Sequence, residues 1–168
     1  CDGALQITAS HHPFNRNGLK FFTREGGLEG SDIEEILEYA QNGESPAENS
    51  CGKIRKVDYM TDYAKGLCKK IKEEVNAEDY DHPLKGFKIV VDAGNGAGGF
   101  YADKVLSVLG ADTTGSRYLD PDGMFPNHIP NPEDATAMAS ICEAVKEANA
   151  DLGVIFATDV DRGGAVDS

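Results

Sequence analysis

The chain has 168 residues and carries 16 Lys plus Arg against 29 Asp plus Glu, a formal charge of −13. Such an acidic balance repels phosphodiester backbones, whose binding rests on Lys and Arg, so nucleic acid is not an expected partner. With 40% hydrophobic and 27% charged residues the composition is that of a globular protein able to bury a core, and no apolar run approaches the roughly 18 residues of a membrane helix. The opening CDGALQITAS lacks the basic start and apolar stretch of a signal peptide. Cys1, Cys51, Cys68 and Cys142 form no CxxC pair and read as reduced thiols of a cytoplasmic protein. The chain opens inside a run into a strand and stops two residues after Val166, so both ends look cut.

Residues 3–9 alternate around Leu5 and Ile7 and predict a strand, with a second at Leu19 to Thr23 and the polar loop SHHPFNRNG between them. Ser31 with Glu34 predicts a capping box. Ile33, Ile36, Leu37 and Ala40 follow at helical spacing until Asn42-Gly43. Residues 43–56 hold Gly, Ser, Pro and Asn without periodicity, which predicts a linker and a domain boundary near Lys56. From Val57 to about Glu78, Met60, Tyr63, Ala64, Leu67, Cys68, Ile71 and Val75 step by three and four, which predicts a long amphipathic helix.

Beyond it the sequence predicts a strand (Phe87 to Asp92), a glycine turn (Gly94 to Gly99), a helix (Phe100 to Leu109, closed by Gly110) and a strand near Thr113 to Leu119. The loop DPDGMFPNHIPNP leads to a helix with Asn131 as N-cap and Pro132 at its first position. Met138, Ile141, Cys142, Val145 and Ala148 share one face of this helix, and a last strand is predicted from Asp151 to Ala157. Alternating strand and helix predicts an α/β domain with a largely parallel sheet covered by helices.

Three constellations could carry chemistry. Ser10 leaves a strand beside His11 and His12, with Lys20 ten residues on. A serine so placed could be a nucleophile activated by a neighbouring base, and a Ser/His/Pro surface turn explains the same residues. Asp159 and Asp161, at i and i+2 after the last strand, can turn oxygens onto one hard cation, and Arg162 can grip a phosphate; a solvated acidic turn is the alternative. Gly94, Gly96 and Gly99 satisfy GxGxxG with Asp120 downstream, the pattern of a dinucleotide site, although a glycine turn also arises for backbone reasons alone. His82 and His128 stand alone and read as surface or cap residues.

Taken in order and at these separations, ITASHHPFNRNGLKFF, VVDAGNGAGG, PNPED and ATDVDRGGAVD resemble the α-D-phosphohexomutase superfamily of phosphoglucomutases and phosphomannomutases. The resemblance implies a three-layer α/β/α domain with a mixed, largely parallel sheet. Residues 1–56 would be the C-terminal part of domain 1, with its phosphoserine loop, and 57–168 domain 2, with its metal-binding loop. It implies that Ser10 carries the phosphoryl group, His11 is its neighbour and Lys20 an acid/base. Asp159, Asp161 and phosphorylated Ser10 would bind Mg2+, and Arg162 would close the loop near the phosphoserine. It further implies a hexose phosphate substrate, a hexose 1,6-bisphosphate that primes Ser10, and movement of phosphate between O1 and O6. On this reading the glycine turn is structural.

Two departures follow from the pattern. The family's metal loop has Asp at the position of Ala157, so weakened Mg2+ binding is expected here. The loops that recognise sugar and phosphate belong to domains 3 and 4 of the family, so this chain alone is expected to lack mutase turnover. A catalytically silent remnant that keeps the fold is the competing expectation, and a dinucleotide-binding domain is a third.

Overall fold

The computed structural model describes residues 1–43 and 52–168. The middle of the predicted 43–56 linker, with Cys51, lies outside the described residues. Two compact units are present: Cys1–Ala9 with Asn17–Val57, and Ser10–Arg16 with Asp58–Ser168.

In the first unit, β1 (Gly3–Ile7) pairs antiparallel with β2 (Leu19–Thr23), Leu5 opposite Phe21 and Gln6 opposite Lys20. The two-residue β3 (Gly26–Gly27) continues the sheet in the order β1-β2-β3. The Thr8 N–H donates to the Gly18 carbonyl at 3.0 Å. A Cβ on Gly18 would lie 2.5 Å from the Thr8 carbonyl oxygen, so only glycine permits this approach. Helix α1 (Gly30–Asn42) starts at a Glu29 cap, where the backbone N–H donates to the Asp32 carboxylate at 2.9 Å. The capping box therefore begins two residues before the Ser31 and Glu34 expected from the sequence, because Asp32 reaches the cap first. Gly43, with φ +60°, ends the helix as its N–H donates to the Tyr39 carbonyl. Leu5, Ile7, Leu19 and Leu37 stay at least half exposed, as expected of a small sheet with an uncovered face.

The second unit holds the core. Helix α2 (Met60–Val75) is shorter than the predicted 57–78. Asp58 accepts from both the backbone and the hydroxyl of Thr61 at its start, and Asn76 closes it in the left-handed region. Strand β4 (Ile89–Asp92) pairs parallel with β5 (Leu152–Phe156), which pairs antiparallel with β6 (Gly163–Asp167). Strand β6 has no alternation legible in sequence, because its first two residues are glycines.

On the outer edge of β4 the predicted strand at 113–119 is reduced to two parallel bridges, Lys88 with Asp112 and Asp92 with Arg117. Gly115 (φ +105°) and Tyr118 (φ +56°) break extended geometry. Between them the Ser116 hydroxyl, not a backbone carbonyl, accepts the Val91 N–H at 2.9 Å.

The expected helix over 100–109 forms as a widened, π-type helix at Tyr101–Leu106, where the Ser107 N–H reaches back five residues to the Ala102 carbonyl. Gly110 (φ +95°) does close it. Helix α3 spans Ala135–Ala148, and its cap is Asp134, not Asn131. The Asp134 carboxylate accepts from the Thr136 and Ala137 N–H groups at 2.9 and 3.1 Å, while Asn131 and Pro132 form a preceding turn.

Adjacent residues of β4 face opposite layers. Val90 packs with Ile141, Val145 and Ile155 beneath α3, and Val91 packs with Ala93 and Ala102 beneath the widened helix. Ala64 and Cys68 of α2 close over Val105 and Leu109. The result is a three-layer α/β/α arrangement around a mixed sheet. Each fully buried Val or Ile contributes roughly 1.5–3 kcal/mol. Gly153 makes room for α3, since a Cβ there would lie 2.5 Å from Val145 Cγ2 and 2.9 Å from Ile141 Cγ1.

Candidate functional site

The loop after β5 is built from backbone hydrogen bonds that leave its side chains little freedom. The Ala157 N–H donates to the Arg162 carbonyl at 2.9 Å, and the Val160 N–H donates to the Ala157 carbonyl at 3.0 Å. Val160 sits at φ +67°, a strained conformation for a β-branched residue. Thr158 is fixed on both sides. Its N–H donates to the Pro130 carbonyl at 3.1 Å, and its carbonyl accepts the Ala97 N–H at 2.8 Å. Asp159 is half-buried and Asp161 exposed.

Ser10 also has a left-handed backbone, φ +54°. Arg162 brings the two loops together: its Nη2 donates to Ser10 Oγ at 3.2 Å and to His11 Nδ1 at 2.6 Å. Ser10 Oγ itself lies 3.3 Å from His11 Nδ1, and His11 stacks on His12. The same guanidinium reaches Asp161 at 3.6 Å and Glu133 at 3.7 Å. Ser10, His11, Asp161 and Arg162 are thus neighbours despite about 150 residues of intervening chain. Lys20 belongs to the other unit, where it stands on β2 opposite Gln6.

For a divalent cation the donors offered are carboxylate oxygens from Asp159 and Asp161, the hard chemistry Mg2+ takes, and a phosphate carried on Ser10 would add further oxygens. Among the described residues no group of three or more His, Cys, Asp or Glu side chains converges as a metal cluster. Ala157 is fully buried and adds no donor. The residues therefore fit a cation completed by phosphate and water, not an all-protein cage.

The glycine turn serves packing. A Cβ on Gly96 would press on Thr158, one on Gly98 on Phe156, and one on Gly99 on the Leu119 carbonyl. Close approach of the chain's own backbone and side chains accounts for these glycines without a ligand.

His128 is not the surface or cap residue its solitary position suggests. It is buried, and its Nε2 meets Asp92 Oδ1 at 2.9 Å while its Nδ1 meets the Ile129 carbonyl at 3.0 Å. Both partners are acceptors, so both ring nitrogens carry protons and the ring is an imidazolium. The Asp92 hydrogen bond accordingly holds the His128 pKa above its ordinary value. Ser140 Oγ donates to the other Asp92 oxygen at 2.6 Å. The only sequence signal for this network was a carboxylate ending an otherwise apolar strand. His82, by contrast, is exposed and its N–H donates to Asp79. Cys1, Cys68 and Cys142 are free thiols, with Cys68 buried and its pKa raised by that burial.

Comparison with known proteins points to one family. Residues 62–168 match the family model of phosphoglucomutase/phosphomannomutase alpha/beta/alpha domain II, and residues 1–47 match that of domain I. A phosphoglucomutase of Neisseria meningitidis is 32% identical over 167 residues, covering 99% of this chain and 34% of that protein. A phosphomannomutase of Escherichia coli is 32% identical over 169 residues, covering 96% and 36%. A crystal structure of a phosphoglucomutase/phosphomannomutase family protein from Burkholderia thailandensis superposes with a TM-score of 0.75 at 28% identity, covering 99% of this chain and 33% of that one. The chain spans about a third of the length of the curated relatives it matches. No helix among the described residues is long and apolar enough to cross a membrane. The two matched domain models, which cover most of the chain, and the three-layer architecture place the chain in the phosphoglucomutase/phosphomannomutase family.

Proposed function

We propose that this chain carries the phosphoryl-holding part of a phosphohexomutase, in which Ser10 alternates between free hydroxyl and phosphoserine. The carrying observation is the Arg162 guanidinium, which bonds Ser10 Oγ and His11 while belonging to the acidic loop of Asp159 and Asp161. A phosphoryl group on Ser10 would meet a fixed cation of the right fork geometry at once.

In the proposed step the Ser10 Oγ–P bond breaks as a bond from phosphorus to a hexose hydroxyl oxygen forms. The hydroxyl proton passes to a base, the acid/base role the family resemblance gives to Lys20, and Ser10 Oγ takes up a proton as its bond to phosphorus breaks, leaving as the free hydroxyl. The hexose 1,6-bisphosphate so formed returns its other phosphate to Ser10, so that phosphate moves between O1 and O6. Mg2+ held by Asp159, Asp161 and the seryl phosphate would neutralise charge on the transferring group. Arg162 supplies a second, permanent positive charge, and transfer of this kind needs positioning and charge neutralisation more than covalent help. Acceptance of phosphate is proposed for this chain, and full hexose phosphate turnover for the longer arrangement of its relatives.

The second reading, a phosphohexomutase-like domain that binds ligands without turnover, draws on the buried Ala157, which leaves the loop one carboxylate short of the family pattern. One experiment separates them. The intact mass of the chain is measured before and after incubation with glucose 1,6-bisphosphate and Mg2+, with Ser10→Ala as control. Gain of one phosphoryl group at Ser10, absent from the control, supports the phosphoserine reading, and no gain favours the silent one.

A further inference from the structure

The acidic loop takes its position from two segments that are not part of it. One is the glycine turn after β4, whose Ala97 N–H holds the Thr158 carbonyl. The other is the stretch from Asn127 to Pro130, whose Pro130 carbonyl holds the Thr158 N–H. Thr158 is gripped from both sides, immediately before Asp159.

These two segments are tied to each other at one buried point. Asp92, at the root of the glycine turn, is fully buried. Its Oδ1 accepts from His128 Nε2 and from the Gly94 N–H, both at 2.9 Å. His128 spends its second proton on the Ile129 carbonyl, one residue from Pro130. Contact is close throughout, since a Cβ on Gly94 would lie 2.9 Å from His128 Cε1 and 2.7 Å from Pro130 Cβ. An outer tie runs from Asn127 Nδ2 to Asn95 Oδ1 at 2.8 Å.

We propose that His128 is a positioning residue for the acidic loop: paired with Asp92, it clamps together the two segments that grip Thr158 and thereby sets where Asp159, Asp161 and Arg162 stand relative to Ser10. The inference deepens the phosphoserine reading and rests on it for what the loop does. The clamp itself is a property of the fold. The clamp reaches the loop through Thr158, which the Ala97 N–H and the Pro130 carbonyl hold.

The charged surroundings of His128 are few. Asp92 faces it from β4, and Tyr118 meets the ring edge-on with centroids 5.5 Å apart. Glu143 of α3 lines the same small cavity but is engaged by Arg117 at 3.2 Å. Asp134, at the α3 cap, adds a weaker attraction. All the acids favour the imidazolium. Its deprotonation removes one of the two donated hydrogen bonds and half of the ion pair.

Amide hydrogen exchange on the whole chain tests the clamp. In His128→Gln, which is neutral and cannot bond both partners, protection at amides 158–162 is expected to fall about tenfold or more, the loss expected when a charge-assisted bond goes, while β4 and β5 amides change far less. A merely structural role for His128 would lower protection in the sheet and the loop alike, and that result, or no loss at the loop, overturns the proposal. Should the variant not fold, the unmutated chain provides the measurement. Protection at 158–162, corrected for intrinsic exchange rates, falls as rising pH deprotonates the imidazolium while β5 holds, and a flat profile overturns the clamp.

Phosphate uptake at Ser10 separates this failure from that of the function. Selective loop loosening in a chain that never takes phosphate would overturn the phosphoserine reading and leave the clamp. Unmutated and His128→Gln chains phosphorylated at equal rates would overturn the clamp's role and leave the phosphoserine.

Discussion

Arg162 donates to Nδ1 of His11 at 2.6 Å. A guanidinium has no acceptor, so His11 Nδ1 presents its lone pair to Arg162 and the proton of the neutral ring stands on Nε2. That lone pair is therefore committed to Arg162, although Ser10 Oγ lies only 3.3 Å away. In this arrangement His11 orients the arginine.

Replacing Arg162 by Lys keeps the charge but removes the fork that spans Ser10 and His11. Loss of a charge-assisted hydrogen bond corresponds to a rate loss of roughly tenfold to a hundredfold. Initial rates of Ser10 phosphorylation, read by intact mass, should show that fall, with the thermal midpoint nearly unchanged. An unaltered rate would mean that the arginine is only a structural tie.

Ala157→Asp restores the family's third carboxylate at a position that is fully buried. Without a cation the new charge should cost about 2–4 kcal/mol of stability, since a buried carboxylate lacks its solvation. Mg2+ should return much of that loss, giving the variant a larger cation-induced rise in thermal midpoint than the parent chain. Scanning calorimetry with and without Mg2+ measures both, and an equal rise in the two proteins would count against a cation at this loop.

The His128–Asp92 pair predicts a pH signature in stability. The Asp92 hydrogen bond raises the folded pKa of His128 above the ordinary 6.5. Its contribution is therefore complete below about pH 6.5 and is lost as pH rises through the folded value. Breaking such a buried pair from one side costs about 3–5 kcal/mol. Urea midpoints of the parent and His128→Gln chains should accordingly differ most in mild acid and converge toward alkaline pH. A gap that widened with pH would show the ring to be neutral.

Gly153→Ala tests the packing that carries the site. The new methyl would overlap Val145 and Ile141 of α3. Overpacking of this kind costs about 1–3 kcal/mol, visible as a lower urea midpoint with the slope unchanged. An unchanged midpoint would mean that α3 shifts freely on β5.

The strands and helices with clean periodicity were legible from sequence because one physical pattern governs each. β2 was read with its observed limits, and α2 and α3 were recognised with errors only at their ends. The ends failed where two caps competed: the Asp134 carboxylate takes the first N–H groups of α3 while Asn131 serves the preceding turn, and Asp32, not Glu34, accepts from the N-cap N–H of α1. The 113–119 strand failed because Ser116 replaces a backbone acceptor with its hydroxyl, which no alternation reveals. Ser10 and Arg162 were each singled out, but their hydrogen bond across 152 positions belongs to tertiary structure alone. His128 was missed for the same reason, since its partner lies 36 residues upstream and a lone histidine in a loop carries no periodic signal.

On the proposed function, Ser10 and the loop of Asp159, Asp161 and Arg162 form one phosphate-and-cation site. Calorimetric titration of Mg2+ into the unphosphorylated chain and into the same chain carrying phosphate on Ser10 is the decisive measurement. A seryl phosphate adds hard anionic oxygens beside two carboxylates. Affinity should rise by about tenfold or more on phosphorylation, the effect of a strong added ligand charge, and the rise should vanish in Asp159→Asn/Asp161→Asn. Equal Mg2+ affinity in the two forms would contradict the single site.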